Sequence, residues 1–168
     1  MKPTNIYLLI DCSHFSAISA GKMQDFILKT ARTAKNIPAT RLHIVSFNEK
    51  ARIISPFDKI ASFGIPDISS GVRLLDSVIS YENKYHKQQT RAVIFWLTSG
   101  KVVNGKNIDR LYKNPDFNKA IRYVIKYGKP DKNSNTAIYS FASNTNGVVD
   151  YFSETRLKRL IFQLKHTF

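Results

Sequence analysis

The chain has 168 residues and 19.2 kDa, room for one ordinary domain and too little for two. It is 43% hydrophobic with only 7 Gly and 6 Pro, which excludes a disordered tail or a collagen-like fibre. Its 26 Lys and Arg against 12 Asp and Glu leave a net charge of +14, a balance that suits a polyanion or an acidic partner and says nothing of the fold.

In chain order, Tyr7-Leu8-Leu9-Ile10 is a continuous apolar run of the kind buried on both faces of a sheet. A helix is expected from about Ser19, with Met23, Phe26, Ile27, Ala31 and Ala34 at helical spacing and a stop at Asn36 and Pro38. Leu42 to Phe47 reads as a second strand, Asn48-Glu49-Lys50 as a tight turn, and Ala51 to Ile54 as its hairpin partner. Pro56 to Pro66 reads as loop. Ser69-Ser70-Gly71 leads into a helix with Val72, Leu75, Val78 and Ile79 on one face. Ala92 to Leu97 is the most hydrophobic segment and reads as a central strand. One or two helices are expected between Ile108 and Tyr127, a strand over Thr136 to Ala142, a turn at Asn144-Thr145-Asn146-Gly147, and a terminal amphipathic helix over Thr155 to Leu164. The alternation implies an α/β, Rossmann-like three-layer sandwich, its sheet mostly parallel with one antiparallel hairpin strand. Residues 1–168 are expected to form a single domain, with no internal repeat and no linker.

Ligand sites of such sheets gather where the strands end at their carboxyl edge. The loops after Ile10, at Ser69–Gly71 and after Leu97 meet that description. Tyr7-Leu8-Leu9-Ile10-Asp11-Cys12-Ser13 resembles the first strand and metal loop of a von Willebrand factor A (VWA) domain. Ile44 to Arg52 resembles that family's hairpin, Ser69-Ser70-Gly71 its second loop, and Val93 to Lys101 its fourth strand. The small bacterial, TerY-like type is the nearest in flavour. The resemblance implies a VWA-like fold and a role in protein interaction, inside a bacterial or phage-like system.

Departures from the family pattern fall on its metal-ion-dependent adhesion site (MIDAS). Asp11 and Ser13 match its Asp-x-Ser-x-Ser loop, but Phe15 holds the third position, Val72 stands for the Thr and Ser99 for the second Asp. Mg²⁺ demands near-octahedral oxygen ligands, and one carboxylate among hydroxyls competes poorly with water. No metal or other cofactor is therefore expected, with Asp11 and Ser13 vestigial and Ser16 the one neighbour able to compensate. The loops are expected to bind a protein partner through Asp11, Ser13, Ser16, Ser70, Gly71 and Ser99. A plainer role also fits Asp11, which at a strand end can simply cap the next loop's N–H groups.

Charge supports a second reading. Residues 84–132 carry 12 basic and 3 acidic side chains, a net of +9. Lys84, Lys87, Arg91, Lys101, Lys106, Arg110, Lys119, Arg122 and Lys126 form a candidate surface for nucleic acid or an acidic protein, or else an ordinary solvated face. Tyr81, Tyr85, Tyr123 and Tyr127 can stack on bases or belong to a core face. A third reading is a metal-dependent ribonuclease of the PIN/NYN type, with Asp11 joined by Asp76, Asp109 and Asp150. It lacks a carboxylate at the end of the strand that reaches Ser99 and has no place for the hairpin.

Other chemistry finds little support. The histidines at 14, 43, 86 and 166 lack zinc-site spacing, and His43 reads as packing. Cys12 has no evident catalytic His, and a lone cysteine excludes an internal disulfide. There is no Gly-x-x-x-x-Gly-Lys-[Ser/Thr] loop, Gly-x-Gly-x-x-Gly or Gly-x-Ser-x-Gly elbow. The early apolar run ends at Asp11, shorter than a signal-peptide core, and no stretch approaches a membrane span. The expectation is a non-enzymatic, cytoplasmic protein with no membrane partner.

Overall fold

In the computed structural model, which describes residues 3–86, 90–143 and 145–166, six strands form one sheet in the order β3-β2-β1-β4-β5-β6. The strands are β1 (Thr4–Asp11), β2 (Thr40–Phe47), β3 (Ala51–Ile53), β4 (Arg91–Thr98), β5 (Ile121–Lys126) and β6 (Val148–Val149). Only the β2–β3 pair is antiparallel. The helices are α1 (Ala20–Asn36), α2 (Ile68–Tyr85), α3 (Pro115–Lys119), α4 (Lys132–Phe141) and α5 (Glu154–His166). No described helix is long and apolar enough to cross a membrane.

β1 is buried along its whole length because it has a strand on either side and helices over both faces. Its alternate side chains divide the core. Ile6, Leu8 and Ile10 join Val93, Phe95 and Leu97 beneath α1 and α5, while Tyr7 and Leu9 join Ile94 and Trp96 beneath α2 and α4. Removing each such aliphatic side chain from water contributes about 1.5–3 kcal/mol before entropy is charged.

The α/β sandwich and its hairpin follow the expected order as far as β4. Beyond it, two segments exchange roles. Ile121 to Lys126 is a strand, not part of a helix, and Thr136 to Ala142 lies in and just after α4, not in a strand. The Tyr123–Tyr127 spacing misleads because four residues are one helical turn and also two strand repeats. Both tyrosines pack against the α1–α5 side of the core, together with Ile121 and Ile125. In α4, buried Ser134, Ala137, Ile138 and Phe141 follow helical spacing, and the Asp131 carboxylate caps the helix by accepting from the Ser134 N–H at 2.8 Å. Of the expected turn at 144–147, Asn144 lies outside the described residues, and Thr145–Gly147 is a short 3-10 turn into β6.

Candidate functional site

The connections leaving β1 and β4 part company at the carboxyl edge, β1 feeding α1 on one face and β4 leading towards α3 on the other. Such a divergence between neighbouring parallel strands opens the crevice where α/β sheets bind ligands. Asp11 ends β1 there, and Ser99 follows β4.

The two residues are clasped. The fully buried Asp11 carboxylate accepts from the Ser13 N–H at 2.9 Å on Oδ1. On Oδ2 it accepts from the Ser99 N–H at 3.1 Å and the Ser99 hydroxyl at 2.7 Å. Three hydrogen bonds to an ionised acceptor are among the stronger neutral-donor contacts a protein makes. Behind the clasp, the β4 loop lies against the loop after β5. A Cβ on Gly128 would stand 2.1 Å from the Ser99 carbonyl oxygen, and Gly100, at φ +94°, would meet the Gly128 carbonyl at 2.9 Å. Glycine is required at both places.

The other expected site residues separate by role. The Ser13 hydroxyl is buried and has no hydrogen-bond partner among the described residues. Ser16 turns back to donate to the Ser13 carbonyl at 2.7 Å, with only a long 3.5 Å contact to the Ser62 hydroxyl. Ser70 donates to the Asp67 carbonyl at 2.9 Å, inside the first turn of α2. Gly71 lets α2 approach the sheet, since a Cβ there would fall 2.8 Å from Phe47 and 2.9 Å from Leu9. Val72 lies on the core face of α2, as its place on the apolar helix face implied, and is fully buried. Sequence reasoning missed Asp67, a carboxylate at this edge. It caps α2, accepting on Oδ1 from the Ser69 N–H at 3.0 Å and the Ser69 hydroxyl at 2.6 Å. Its signal was present, an Asp immediately before the apolar periodicity begins.

An apolar surface lies beside the clasp. The His14 N–H donates to Gly64 O at 3.0 Å and the Phe63 N–H to Cys12 O at 3.1 Å, bringing the two loops together. Those loops expose Phe15, Ile18, Phe63 and Ile65, with Ile18 98% accessible. Cys12 beneath them is buried, and its burial together with Asp11 pushes the thiol up to about 12, so it stays protonated at neutral pH.

The basic segment does not form one face. Lys84 at the end of α2, Arg91 at the start of β4, and Lys119 and Arg122 around the start of β5 lie towards the amino edge. Lys101 and Lys106 follow β4, and Lys126 ends β5, at the carboxyl edge. Arg110 lies in a short 3-10 turn that packs near α4, and Lys87 is outside the described residues. Several charges are already engaged. Arg122 donates to the carbonyls of Phe141, Phe117 and Asn118, while Lys101, Lys119 and Lys126 each pair with an aspartate. Tyr123 stacks on Phe95 in the core, whereas Tyr81 and Tyr85 meet each other in a tilted contact at the surface.

Nor are the aspartates of the nuclease reading gathered at Asp11. Asp76 on α2 accepts from the Asn114 N–H at 3.0 Å, Asp109 sits in the 3-10 turn, and Asp150 pairs with Lys126 at 3.5 Å. Among the described residues no group of three or more His, Cys, Asp or Glu side chains is placed to hold a metal. The fold does bring two of the separated histidines together. Glu82 faces His43 at 3.6 Å and His86 at 3.5 Å, but the same oxygen takes Arg41 at 3.1 Å, so a permanent cation already neutralises it.

The whole architecture matches solved structures. The VWA domain of SpRpn10 superposes with a TM-score of 0.62 at 16% identity, covering 96% of this chain and 95% of that one. The fold is that of a VWA domain. Proximal thread matrix protein 1 from the mussel byssus, with a zinc-occupied MIDAS motif, gives 0.59 at 14% identity over 97% of this chain. The alignment spans 45% of that longer protein. No protein-family model and no curated protein matches the chain.

Proposed function

We propose that the chain is a non-enzymatic, metal-independent VWA-type interaction module of the small bacterial, TerY-like kind, working in the cytoplasm. It holds a protein partner, favourably an acidic one given the charge of +14, on the loops around Asp11, Ser70 and Ser99. The observation that carries this reading is the clasp. Both oxygens of Asp11 accept from donors of Ser13 and Ser99, so the carboxylate that would hold a cation ties β1 to β4.

The remaining donors do not fit a hard dication. The Ser16 and Ser70 hydroxyls are oriented towards the Ser13 and Asp67 carbonyls, and Asp67 is spent on a helix cap. Ser13 offers a neutral hydroxyl, so Asp11 is the one carboxylate of the set not used as a helix cap. Mg²⁺ needs near-octahedral oxygen coordination, and one hydroxyl does not repay its dehydration. A clasped crevice still presents a fixed loop surface, and the exposed Phe15, Ile18, Phe63 and Ile65 supply the apolar contact such surfaces use.

Capture from nuclease-treated host lysate, run in parallel with MgCl₂ and with EDTA, tests the proposal. The expected result is one defined protein retained equally in both arms and lost with Ile18→Asp. A partner retained only with Mg²⁺ overturns the metal-independent reading, and indifference to Ile18→Asp overturns the choice of surface.

A further inference from the structure

A cavity of about 750 Å³ opens at the carboxyl ends of β5 and β6, against α1, and Gly128, which packs behind Ser99, lies in its lining. Its volume lies in the range of small-molecule sites, roughly 300–1,000 Å³. Two elements supply its amines from different sides, Lys22 and Lys29 from α1, and Lys126 and Lys129 from the end of β5 and the loop beyond. Two carboxylates, Asp25 and Asp150, also line it, leaving an excess of two positive charges.

The Lys126 side chain is only 21% exposed, and its partner Asp150, at 3.5 Å, is 84% exposed. An enclosed ammonium tethered to a solvated carboxylate is loosely held and open to a better-placed anion. The walls are also aromatic. Phe26 and Phe152 are buried beneath the cavity, and Tyr151 lines it while 68% exposed. Tyr127 lines it too, and burial with nearby Asp25 holds its hydroxyl above the usual tyrosine range, so it remains a donor.

We propose that this cavity binds a nucleoside monophosphate, a phosphate monoester joined through a sugar to an aromatic base. A phosphomonoester carries about −1.5 to −2 at neutral pH, matching the surplus of two amines. The cavity far exceeds what a bare phosphate fills, and Tyr127 and the exposed Tyr151 offer aromatic surface to a planar ring. The assignment is independent of whether the Asp11 face meets a protein.

The test is calorimetric titration of the full chain with AMP in magnesium-free buffer, with adenosine and inorganic phosphate as separate probes. AMP is expected to saturate, to weaken as salt rises, and to bind at least about tenfold more tightly than either fragment. Lys126→Gln and, in the exposed loop, Lys129→Gln are each expected to weaken AMP several-fold, with thermal unfolding confirming that both variants fold. Absence of saturable AMP binding overturns the assignment. So does unchanged affinity in both folded variants, phosphate binding as tightly as AMP, or binding of a single-stranded oligonucleotide without any of AMP.

Discussion

Two regions of the same carboxyl edge handle charge in opposite ways. At the ends of β1 and β4 a fully buried carboxylate already accepts three hydrogen bonds that tie the two strands together. At the ends of β5 and β6 four amines share two carboxylates around an open cavity, and the half-buried Lys126 has a solvated partner. The difference shows why charge alone does not locate a site. What counts is whether a charged group's partners are already in place, since a satisfied buried group is structural and an under-matched one can still bind.

The largest expected effect comes from breaking the packing behind the clasp. Gly128→Ala would set a Cβ 2.1 Å from the Ser99 carbonyl oxygen. Forcing the two loops apart is expected to cost about 3 kcal/mol, read by chemical denaturation. Asp11→Asn keeps the side-chain shape but loses the ionised acceptor and turns an NH₂ towards N–H or O–H donors. A loss of about 2 kcal/mol is expected. Ser99→Ala removes the hydroxyl contact while leaving the Ser99 N–H bond to Asp11, and about 1 kcal/mol is expected by the same measurement. At the cavity, by contrast, Lys126→Gln is expected to change stability by no more than about 0.5 kcal/mol, because its partner is exposed. A Lys126 loss as large as that of Asp11 would erase the distinction between the two regions.

Acid separates both regions from a third cluster, because neither the clasp nor the cavity lining contains a histidine. His43, stacked on Tyr7, is pushed below its ordinary value of 6.5 chiefly by burial, with Glu82 opposing. The unfolded chain therefore takes up this proton at higher pH than the folded one. The stability His43 contributes is present above about pH 6.5 and is lost as pH falls through that value. His43→Gln is expected to flatten the fall between pH 7 and pH 5, measured as the unfolding midpoint at each pH.

The sheet as far as β4 was legible because its patterns have a single reading. The run Ile6–Ile10 is too short for a core helix bounded by Asp11, and Asn48-Glu49-Lys50 between two apolar runs encodes a hairpin. After β4 the patterns became degenerate. Ile121 to Tyr127 satisfies both periods at its odd positions, and only its pairing with β4 selects the strand. Thr136, Ile138, Tyr139 and Phe141 favour a strand by residue type, yet the Asp131 cap and the sheet face available to Ile138 and Phe141 make them helical. At the site, Asp11 and Ser99 could be placed at one edge from strand order. Their hydrogen bonds could not, because residues 88 positions apart meet only through the β1–β4 register. The cavity was less visible still, since Lys22 and Lys29 lie outside the segment where basic residues are densest.

Calorimetric titration with MgCl₂ tests the central claim most directly, that Asp11 is a structural clasp and not a metal ligand. The wild-type chain is expected to show no saturable heat up to about 10 mM, far above the range of a built divalent site, and no shift in its unfolding midpoint. Stoichiometric binding that disappears in Ser13→Ala and Asp11→Asn would contradict it, and would mean that the loops open to rebuild a metal site around the free Ser13 hydroxyl.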